Sequence, residues 1–356
     1  MGSLYIHKSA VMIHMLTCGR FVQYVAQDTA ELGGLIGVTP RGGIYLGVDY
    51  TSTLGDDDVG RKSVRIESIP TFTQGLLVAD IEHMPASVCG AWPAFWTIGE
   101  NPQDGEIGTS SVTGCGIGPE YVITRNKDII EGVNTQSSNT MTLHTAGMCT
   151  IDGKGQTGSV TTTNCSVTDP RGCSVEGLTG SFGTEFNSVD GGVYAMLWTD
   201  EAIRLWFFPR SSIPESIANG DPDPGSFGVP LANFQPSSCD LQQMMNDHKV
   251  IIDTTFCGDW AAGVFTDSGC PMRDPSSYTS SCVHYVATNP SVYREAYWEI
   301  NSIKIYRNQS DGDTTLLDSP SKPSAVESLT AEYTTANQTI SCSQYFTPGA
   351  RIRSPV

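Results

Sequence analysis

The sequence has 356 residues, of which 16% are charged, and it is rich in glycine and proline, with 37 and 20 residues. This composition favours short strands joined by turns over long helices. The formal net charge of −18 argues against binding to nucleic acid or to anionic membrane surfaces, whereas a neutral polysaccharide is indifferent to it. No segment approaches the roughly 18 apolar residues that a membrane-spanning helix needs.

Residues 1–20 come first along the chain and have only weak features of a signal peptide. Lys8 precedes a short apolar run, Ala10–Ile13, which His14 interrupts. We therefore interpret residues 1–20 as an altered or truncated N-terminal segment.

Residues 21–307 contain many short runs that alternate or are rich in β-forming residues, with linkers such as Asp274–Ser281 between them. This pattern predicts an all-β sandwich or barrel, which we treat as one domain. Residues 308–356 are rich in serine and threonine with little apolar periodicity, and we predict a disordered tail there. The predicted strands are Phe21–Ala26, Gly43–Val48, Ser63–Ile66, Gly75–Ile81, Asp128–Val133, Met141–His144, Val193–Trp198, Ile203–Phe208, Val250–Phe256 and Tyr297–Tyr306.

Eleven cysteines are scattered along the chain, with no CxxC pair and no cysteine–histidine spacing of a zinc site. In an acidic chain rich in serine and threonine, such cysteines indicate disulfide bonds and an oxidising compartment. Glycosylation sequons at Asn164, Asn308 and Asn337 fit a secreted, extracellular or cell-wall protein. The sequence does not fix the pairing, and an odd count leaves one thiol unpaired.

The strongest local signal is a pair of acidic segments that a gap separates. Gly105–Glu106–Ile107 is followed, after residues 108–127, by Asp128–Ile129–Ile130–Glu131. Without the gap the sequence reads GEIDIIEGVN, which resembles the Glu-x-Asp-x-x-Glu signature of glycoside hydrolase family 16. Other blocks within residues 21–307 are similar to the fungal laminarinase branch of that family: Val78–Pro85, Cys89–Trp96, Met141–Thr145, Ile203–Arg210, Phe256–Trp260 and Tyr297–Asn301.

The resemblance implies a concanavalin A-like β-jelly-roll sandwich, in which two antiparallel sheets leave an open substrate cleft. It implies retaining endo-hydrolysis of β-1,3- or mixed-linkage β-1,3-1,4-glucan, and we expect a monomer with neither cofactor nor metal. By the matching residues, Glu106 is the nucleophile, Asp128 its partner and Glu131 the acid/base.

The spacing of these carboxylates makes a demand on the strand that carries them. Residues two apart on a strand share a face, so the first Glu and the Asp of the motif project together. Glu131 lies three residues after Asp128 and would face the other side of a regular strand. A β-bulge at the two isoleucines would return it to the cleft side.

Aromatic residues and a histidine complete the expected cleft. By the resemblance, Trp96 and Trp260 stack on sugar rings and His144 lies near the carboxylates, with burial in the core as the alternative for each. Trp92 and Trp96 are four apart on a predicted strand, so they share a face and Phe95 lies on the other. We assign the remaining tryptophans to the core, namely Trp198, Trp206 and Trp298.

The twenty residues Gly108–Lys127 inside the motif leave three interpretations. They leave the sheet as a loop, or they are an unspliced intron, or the strand continues backwards from Glu131 and Asn126 takes the place of the nucleophile. Asparagine cannot form a glycosyl-enzyme intermediate. The functions left open are a retaining glucanase, a catalytically impaired glucan-binding protein of the same fold, and a transglycosylase that uses a sugar acceptor in place of water.

Overall fold

Alternation of apolar and polar residues organises the chain into strands, as the sequence predicts. The computed structural model describes residues 2–5, 10–12, 20–99, 126–169 and 171–307, and at 2–5, 10–12, 126 and 127 it describes the backbone alone. The predicted tail, residues 308–356, lies outside the described residues, as does most of the segment 1–20. The strands are β1 (Gly2–Tyr5), β2 (Ala10–Met12), β3 (Val22–Tyr24), β4 (Ile36–Val38), β5 (Ile44–Leu46), β6 (Arg61–Ser63), β7 (Arg65–Ser68), β8 (Gly75–His83), β9 (Ala91–Gly99), β10 (Asn126–Glu131), β11 (Ser138–Leu143), β12 (Ser159–Thr162), β13 (Cys173–Thr179), β14 (Gly192–Trp198), β15 (Ile203–Pro209), β16 (Ala232–Phe234), β17 (His248–Phe256) and β18 (Trp298–Arg307).

Two large antiparallel sheets contain nearly all of these strands. The first sheet has the order β16-β15-β14-β8-β18-β5-β4, and β1 also pairs with β18. The second sheet has the order β12-β13-β11-β10-β9-β17-β7-β2, while β3 and β6 form a separate parallel pair. Neighbours in each sheet are mostly not consecutive in sequence, and the predicted β-jelly-roll sandwich is confirmed.

The main core lies between the two sheets, where alternate side chains of facing strands meet. Leu77 and Ile81 from β8 of the first sheet, and Phe95 and Ile252 from the second sheet, are at most 2% exposed. Burial of each such side chain contributes roughly 1.5–3 kcal/mol. Because strand residues alternate, their neighbours on β9 and β17 project from the outer face of the second sheet.

The three tryptophans that were predicted to lie in the core are all buried. Trp198 and Trp298 are 1% exposed in the main core. Trp206 is also buried, against Phe227 in a smaller cluster. The core assignment of these three residues is therefore confirmed.

The helices are short, as the glycine-rich composition predicts, with one exception. The prediction of a linker over Asp274–Ser281 is wrong at its C-terminal end, because an 11-residue helix begins at Tyr278. Ser277 caps this helix, since its side chain accepts a hydrogen bond from the backbone N–H of Ser280. Serine and β-branched residues have low helix propensity, and packing of the buried Cys282 overrides it. The helices are α1 (Gln27–Leu32), α2 (Gly183–Asn187), α3 (Glu215–Ala218), α4 (Leu241–Met244), α5 (Gly258–Gly263) and α6 (Tyr278–Thr288), with 3₁₀ turns at Arg210–Ser212, Pro224–Ser226 and Pro290–Glu295.

Disulfide bonds, which the cysteine pattern predicts, join eight of the cysteines. Cys89–Cys270 joins the segment that contains α5 and α6 to the rest of the sandwich, and Cys257–Cys282 closes a loop within that segment. Cys18, Cys115 and Cys342 lie outside the described residues. The four bonds are Cys89–Cys270, Cys149–Cys239, Cys165–Cys173 and Cys257–Cys282.

Candidate active site

Strand β10 contains the two described acidic residues of the motif, and its register with β9 is irregular. Asp128 lies opposite Trp96. Ile130 is two residues further along β10, but it lies opposite Phe95, which is only one residue from Trp96 on β9. Ile129 and Ile130 are both fully buried in the core. One residue of β10 is therefore extra, and this β-bulge brings Glu131 to the same face as Asp128, as the spacing predicts.

Glu131 is held in a buried, hydrogen-bonded position. Its side chain accepts a 2.7 Å hydrogen bond from Nε1 of Trp92, and its backbone N–H donates to Oδ1 of Asn139 over 2.8 Å. Burial raises the pKa of Glu131 to about 7. The hydrogen bond from Trp92 lowers this pKa, the negative charge of Asp253 raises it, and the positive charge of Arg20 lowers it. A carboxyl group with such a pKa is protonated over much of the acid-to-neutral range and suits a general acid.

The indole rings of the candidate site project from the same face of the second sheet. Trp96 is 7% exposed and donates its Nε1 hydrogen to Asp253 over 3.0 Å, while the guanidinium of Arg65 lies 4.8 Å from the centre of its ring. Trp260 on α5 is partly buried and packs edge to face with Trp92, with ring centres 5.7 Å apart. The structure therefore brings both predicted sugar platforms to the face that contains the carboxylates.

His144 follows directly after β11 and is 3% exposed. Its Nε2 has no hydrogen-bond partner among the described residues, so it makes no hydrogen bond there to Asp128 or Glu131. Burial lowers the pKa of His144 to about 4, and the charge of Asp169 opposes this. A Cβ at Gly172 would lie 2.7 Å from the His144 ring, so a residue without a side chain is needed beside it. His144 is a tightly enclosed imidazole two residues after Thr142, which lies opposite Asp128 on the ladder between β11 and β10.

The strand position two residues before Asp128 belongs to Asn126. The ladder between β10 and β9 continues without interruption from Asp128 back to Asn126, which lies opposite Ile98. Glu106, the predicted nucleophile, lies outside the described residues. The backbone of β10 thus follows the interpretation in which the strand continues backwards from Glu131 to Asn126.

Asp253 is the site residue that the sequence analysis missed. It lies on β17, where Val250 and Ile252 face the core and Ile251 and Thr255 face the other side. The available signal was the single carboxylate within the predicted strand Val250–Phe256, because charged residues are rarely buried without a partner. Its contacts are with residues distant in sequence, which no local pattern reveals.

No group of three or more metal-ligating side chains converges within the described residues. In the same part of the chain, no helix is both long and apolar enough to cross a bilayer.

A β-sandwich with paired carboxyl groups and indole rings along one sheet face defines a carbohydrate-active protein of the glycoside hydrolase class. The model of the XgeA-like catalytic domain of glycoside hydrolase family 16 matches residues 16–112 and 123–306. The chain belongs to that family. The match leaves out residues 113–122, which lie within the insertion that interrupts the motif.

Similar proteins agree with this assignment. A probable endo-1,3(4)-β-glucanase of Aspergillus fumigatus is 52% identical over 290 residues, which are 81% of this chain and 41% of the relative. The chain thus spans about two fifths of the length of that relative. Among solved structures, an elongating family 16 β-1,3-glucosyltransferase superposes with a TM-score of 0.77 and 46% identity, over 86% of this chain and 99% of the other. Laminarinase 16A from Phanerochaete chrysosporium, solved with β-glucans in donor and acceptor sites, superposes with a TM-score of 0.74 and 36% identity. The superposition covers 86% of this chain and 98% of the laminarinase.

Proposed function

We propose that the chain is a retaining endo-glycoside hydrolase that acts on β-1,3- or mixed-linkage β-1,3-1,4-glucan. The observation that carries this proposal is the bulge in β10, which sets Asp128 and Glu131 on one face together with Trp92 and Trp96. The raised pKa of Glu131 supports its role as the acid, because a general acid must hold its proton at the working pH.

The proposed reaction has two steps that use only carboxyl groups. In the first, a carboxylate attacks the anomeric carbon while Glu131 gives its proton to the leaving glycosidic oxygen. In the second, Glu131 takes a proton from water, whose oxygen displaces the enzyme carboxylate from the sugar. Asp128 lies on the same face of the strand and assists the nucleophile, for which Glu106 is the candidate. No cofactor is required for either step.

The substrate is inferred from the names of similar proteins and from the form of the site. The relative from Aspergillus is named as an endo-1,3(4)-β-glucanase, and the laminarinase was solved with β-glucan fragments. Indole rings spaced along a sheet face suit successive sugar rings, since each offers a flat apolar surface. This arrangement supports cleavage within a polymer. We also propose that the protein is secreted, because four disulfides join cysteines of the described residues and Asn164 is exposed.

A second candidate is favoured by one specific observation. Asn126 lies opposite Ile98 on the β10 ladder and takes the strand position two residues before Asp128, where the motif of the family has its nucleophile. In that case the full chain binds glucan and does not form the covalent intermediate, because an amide is no substitute for the nucleophile. The alternative proposal is therefore a catalytically impaired glucan-binding protein.

Reducing-sugar release from laminarin separates the two candidates when the full chain is compared with one that lacks residues 108–127. The deletion joins Ile107 to Asp128 and restores the uninterrupted motif. Hydrolysis by both proteins supports the first candidate, with the anomer formed first, observed by NMR, reporting retention. Binding without hydrolysis by the full chain and hydrolysis by the shortened one support the second. Products longer than the substrate would instead indicate transglycosylation.

A further inference from the structure

A row of three residues crosses the second sheet at the candidate site. Glu131 of β10 lies opposite Ala94 of β9, and Ala94 lies opposite Asp253 of β17. Because directly paired residues project from the same face, two carboxyl groups flank a single methyl group. Trp92 and Trp96 lie two residues to either side of Ala94, so the small side chain forms a low floor between two indole rings.

Each of the two carboxyl groups accepts a hydrogen bond from a different indole. Glu131 accepts from Trp92 over 2.7 Å, and Oδ2 of Asp253 accepts from Trp96 over 3.0 Å. The other oxygen of Asp253 accepts from the hydroxyl of Tyr24 over 3.1 Å. Asp253 is only 6% exposed and therefore has little freedom to leave this arrangement. Its carboxylate fixes the rotation of the Trp96 ring.

A cation completes the fixation of Trp96. The guanidinium of Arg65 lies 4.8 Å from the ring centre, and it is itself held by Glu67 over 2.8 Å. Arg65 also lies 4.0 Å from Oδ2 of Asp253. A cation over an indole face is stabilised by the ring, so Arg65 occupies one face of Trp96. The Trp96 ring is therefore held at two points, by Asp253 at its N–H and by Arg65 at one of its two faces.

We propose that Asp253 is a positioning residue of the glucan site, which fixes Trp96 for stacking on a glucosyl unit and places a negative charge across Ala94 from the acid/base residue. This inference rests on the proposed function for the role of Glu131. Two charged groups on neighbouring elements act on Glu131. They are Asp253 on β17 and Arg20, whose backbone forms an isolated antiparallel β-bridge with Cys257.

The electrostatic part of the proposal has a defined sign. The charge of Asp253 disfavours the ionised form of Glu131 and raises its pKa, whereas Arg20 lowers it. Asp128 lies on the same strand as Glu131. Of the neutral neighbours, Trp92 donates a hydrogen bond to the Glu131 carboxyl group, and Asn139 accepts one from the Glu131 backbone N–H. Removal of the charge at Asp253 should therefore let Glu131 lose its proton at lower pH.

The test uses the full chain with Asp253→Ala and Asp253→Asn, and needs no turnover. The amide of Asp253→Asn can still accept from Trp96, so we expect laminaritetraose affinity within about threefold of the unsubstituted chain by calorimetry. Asp253→Ala leaves the indole without its acceptor, and we expect at least tenfold weaker binding with faster exchange of the Trp96 indole hydrogen. In both variants the Glu131 titration, followed by carbon NMR of labelled glutamate, should move to lower pH. Asp80→Asn, which removes a carboxylate from the first sheet, is the matched control, and circular dichroism checks the fold.

The outcomes separate this inference from the proposed function. Unchanged affinity, indole exchange and Glu131 titration in folded Asp253→Ala would overturn the positioning role. Failure of the unsubstituted chain to bind laminaritetraose would overturn the proposed function instead, and the indole exchange and the titration would still decide whether Asp253 clamps Trp96 and acts on Glu131.

Discussion

The indole N–H of Trp92 lies 2.7 Å from a carboxyl oxygen of Glu131 and donates its hydrogen to it. The residues are 39 apart in sequence, and both are buried on the outer face of the second sheet. A hydrogen bond to a carboxylate stabilises the charged form, so Trp92 acts against the burial that raises the pKa of Glu131. Trp92, which shares this face with Trp96, therefore tunes the proposed acid.

Trp92→Phe should raise the pKa of Glu131 further, because the ring is kept and only the donor is lost. In an active form of the domain, the alkaline limb of the pH–rate profile for laminarin should move to higher pH, since the acid stays protonated longer. Trp206→Phe, which removes an indole that donates to the carbonyl of Gly228 far from the site, is the control. A shift of the limb to lower pH would contradict the assignment.

Glu131→Gln should stabilise the fold at alkaline pH while it abolishes the acid. The pKa of Glu131 is raised from 4.5 to about 7, so the folded state binds more protons than the unfolded state between these values. Its contribution to stability is complete below about pH 4.5 and is lost as the pH rises through 7, at a cost of up to about 3 kcal/mol. Urea unfolding at pH 5 and pH 8 should show a higher free energy of unfolding for the variant than for the unsubstituted chain at pH 8 alone. An equal effect at both values would contradict the raised pKa.

His144→Asn should have the opposite effect on the acid side. Burial lowers the pKa of His144 from 6.5 to about 4, so the unfolded state binds more protons between these values. The stability that neutral His144 provides is complete above about pH 6.5 and is lost as the pH falls toward 4. The free energy of unfolding of the variant should therefore decrease less between pH 6.5 and 4. Urea unfolding at pH 6.5 and pH 4 measures this difference, and an equal decrease in the variant and the unsubstituted chain would contradict the lowered pKa of His144.

Removal of the Cys89–Cys270 bond by a double serine substitution should weaken both the fold and the glucan site. The bond joins residues 181 apart, and the loop-closure entropy for such a separation is about 5 kcal/mol. Cys270 follows the helix that contains Trp260, so we also expect weaker laminaritetraose binding. The Cys165–Cys173 bond, with a separation of 8, should contribute roughly half as much stability and leave binding intact. Equal loss of binding in both variants would argue against a role in holding Trp260.

Asn126→Glu should increase laminarin hydrolysis by the full chain. The substitution puts a carboxyl group at the strand position two residues before Asp128, which the second candidate function leaves with an amide. Lys127→Glu adds the same group at the next ladder position, opposite Thr97, which does not fit the two-residue step of the motif, and it should give no increase. If folded Asn126→Glu binds glucan and gains no turnover, the ladder position of Asn126 is not the nucleophile position.

The fold and part of the site were predictable because they depend on local patterns. Alternation located most strands, and the three-residue step from Asp128 to Glu131 required the bulge that Ile129 and Ile130 form. The separation of Trp96 from Phe95 followed from the two-residue period of a strand. Such features are set by residues within a few positions of one another.

The rest of the site depends on pairs that are far apart in sequence. The contacts of Asp253 with Trp96 and Tyr24 span 157 and 229 residues. Helix α6 escaped prediction because its serines and threonines favour turns in isolation, and only packing in the folded chain offsets this. The position of Asn126 was one of three open interpretations, since sequence alone does not say which side of an insertion a strand retains.

The most direct test of the central claim, that Glu131 is the acid/base of a glucan-hydrolysing face, is the laminarin activity of the chain without residues 108–127, with and without Glu131→Gln. This protein has the uninterrupted motif, so its activity does not depend on which candidate function applies to the full chain. We predict reducing-sugar release by the shortened chain and roughly 10²–10⁴-fold less by its Glu131→Gln variant, with glucan binding retained. Equal turnover in the two proteins, or a folded shortened chain that binds laminarin without cleaving it, would contradict the account.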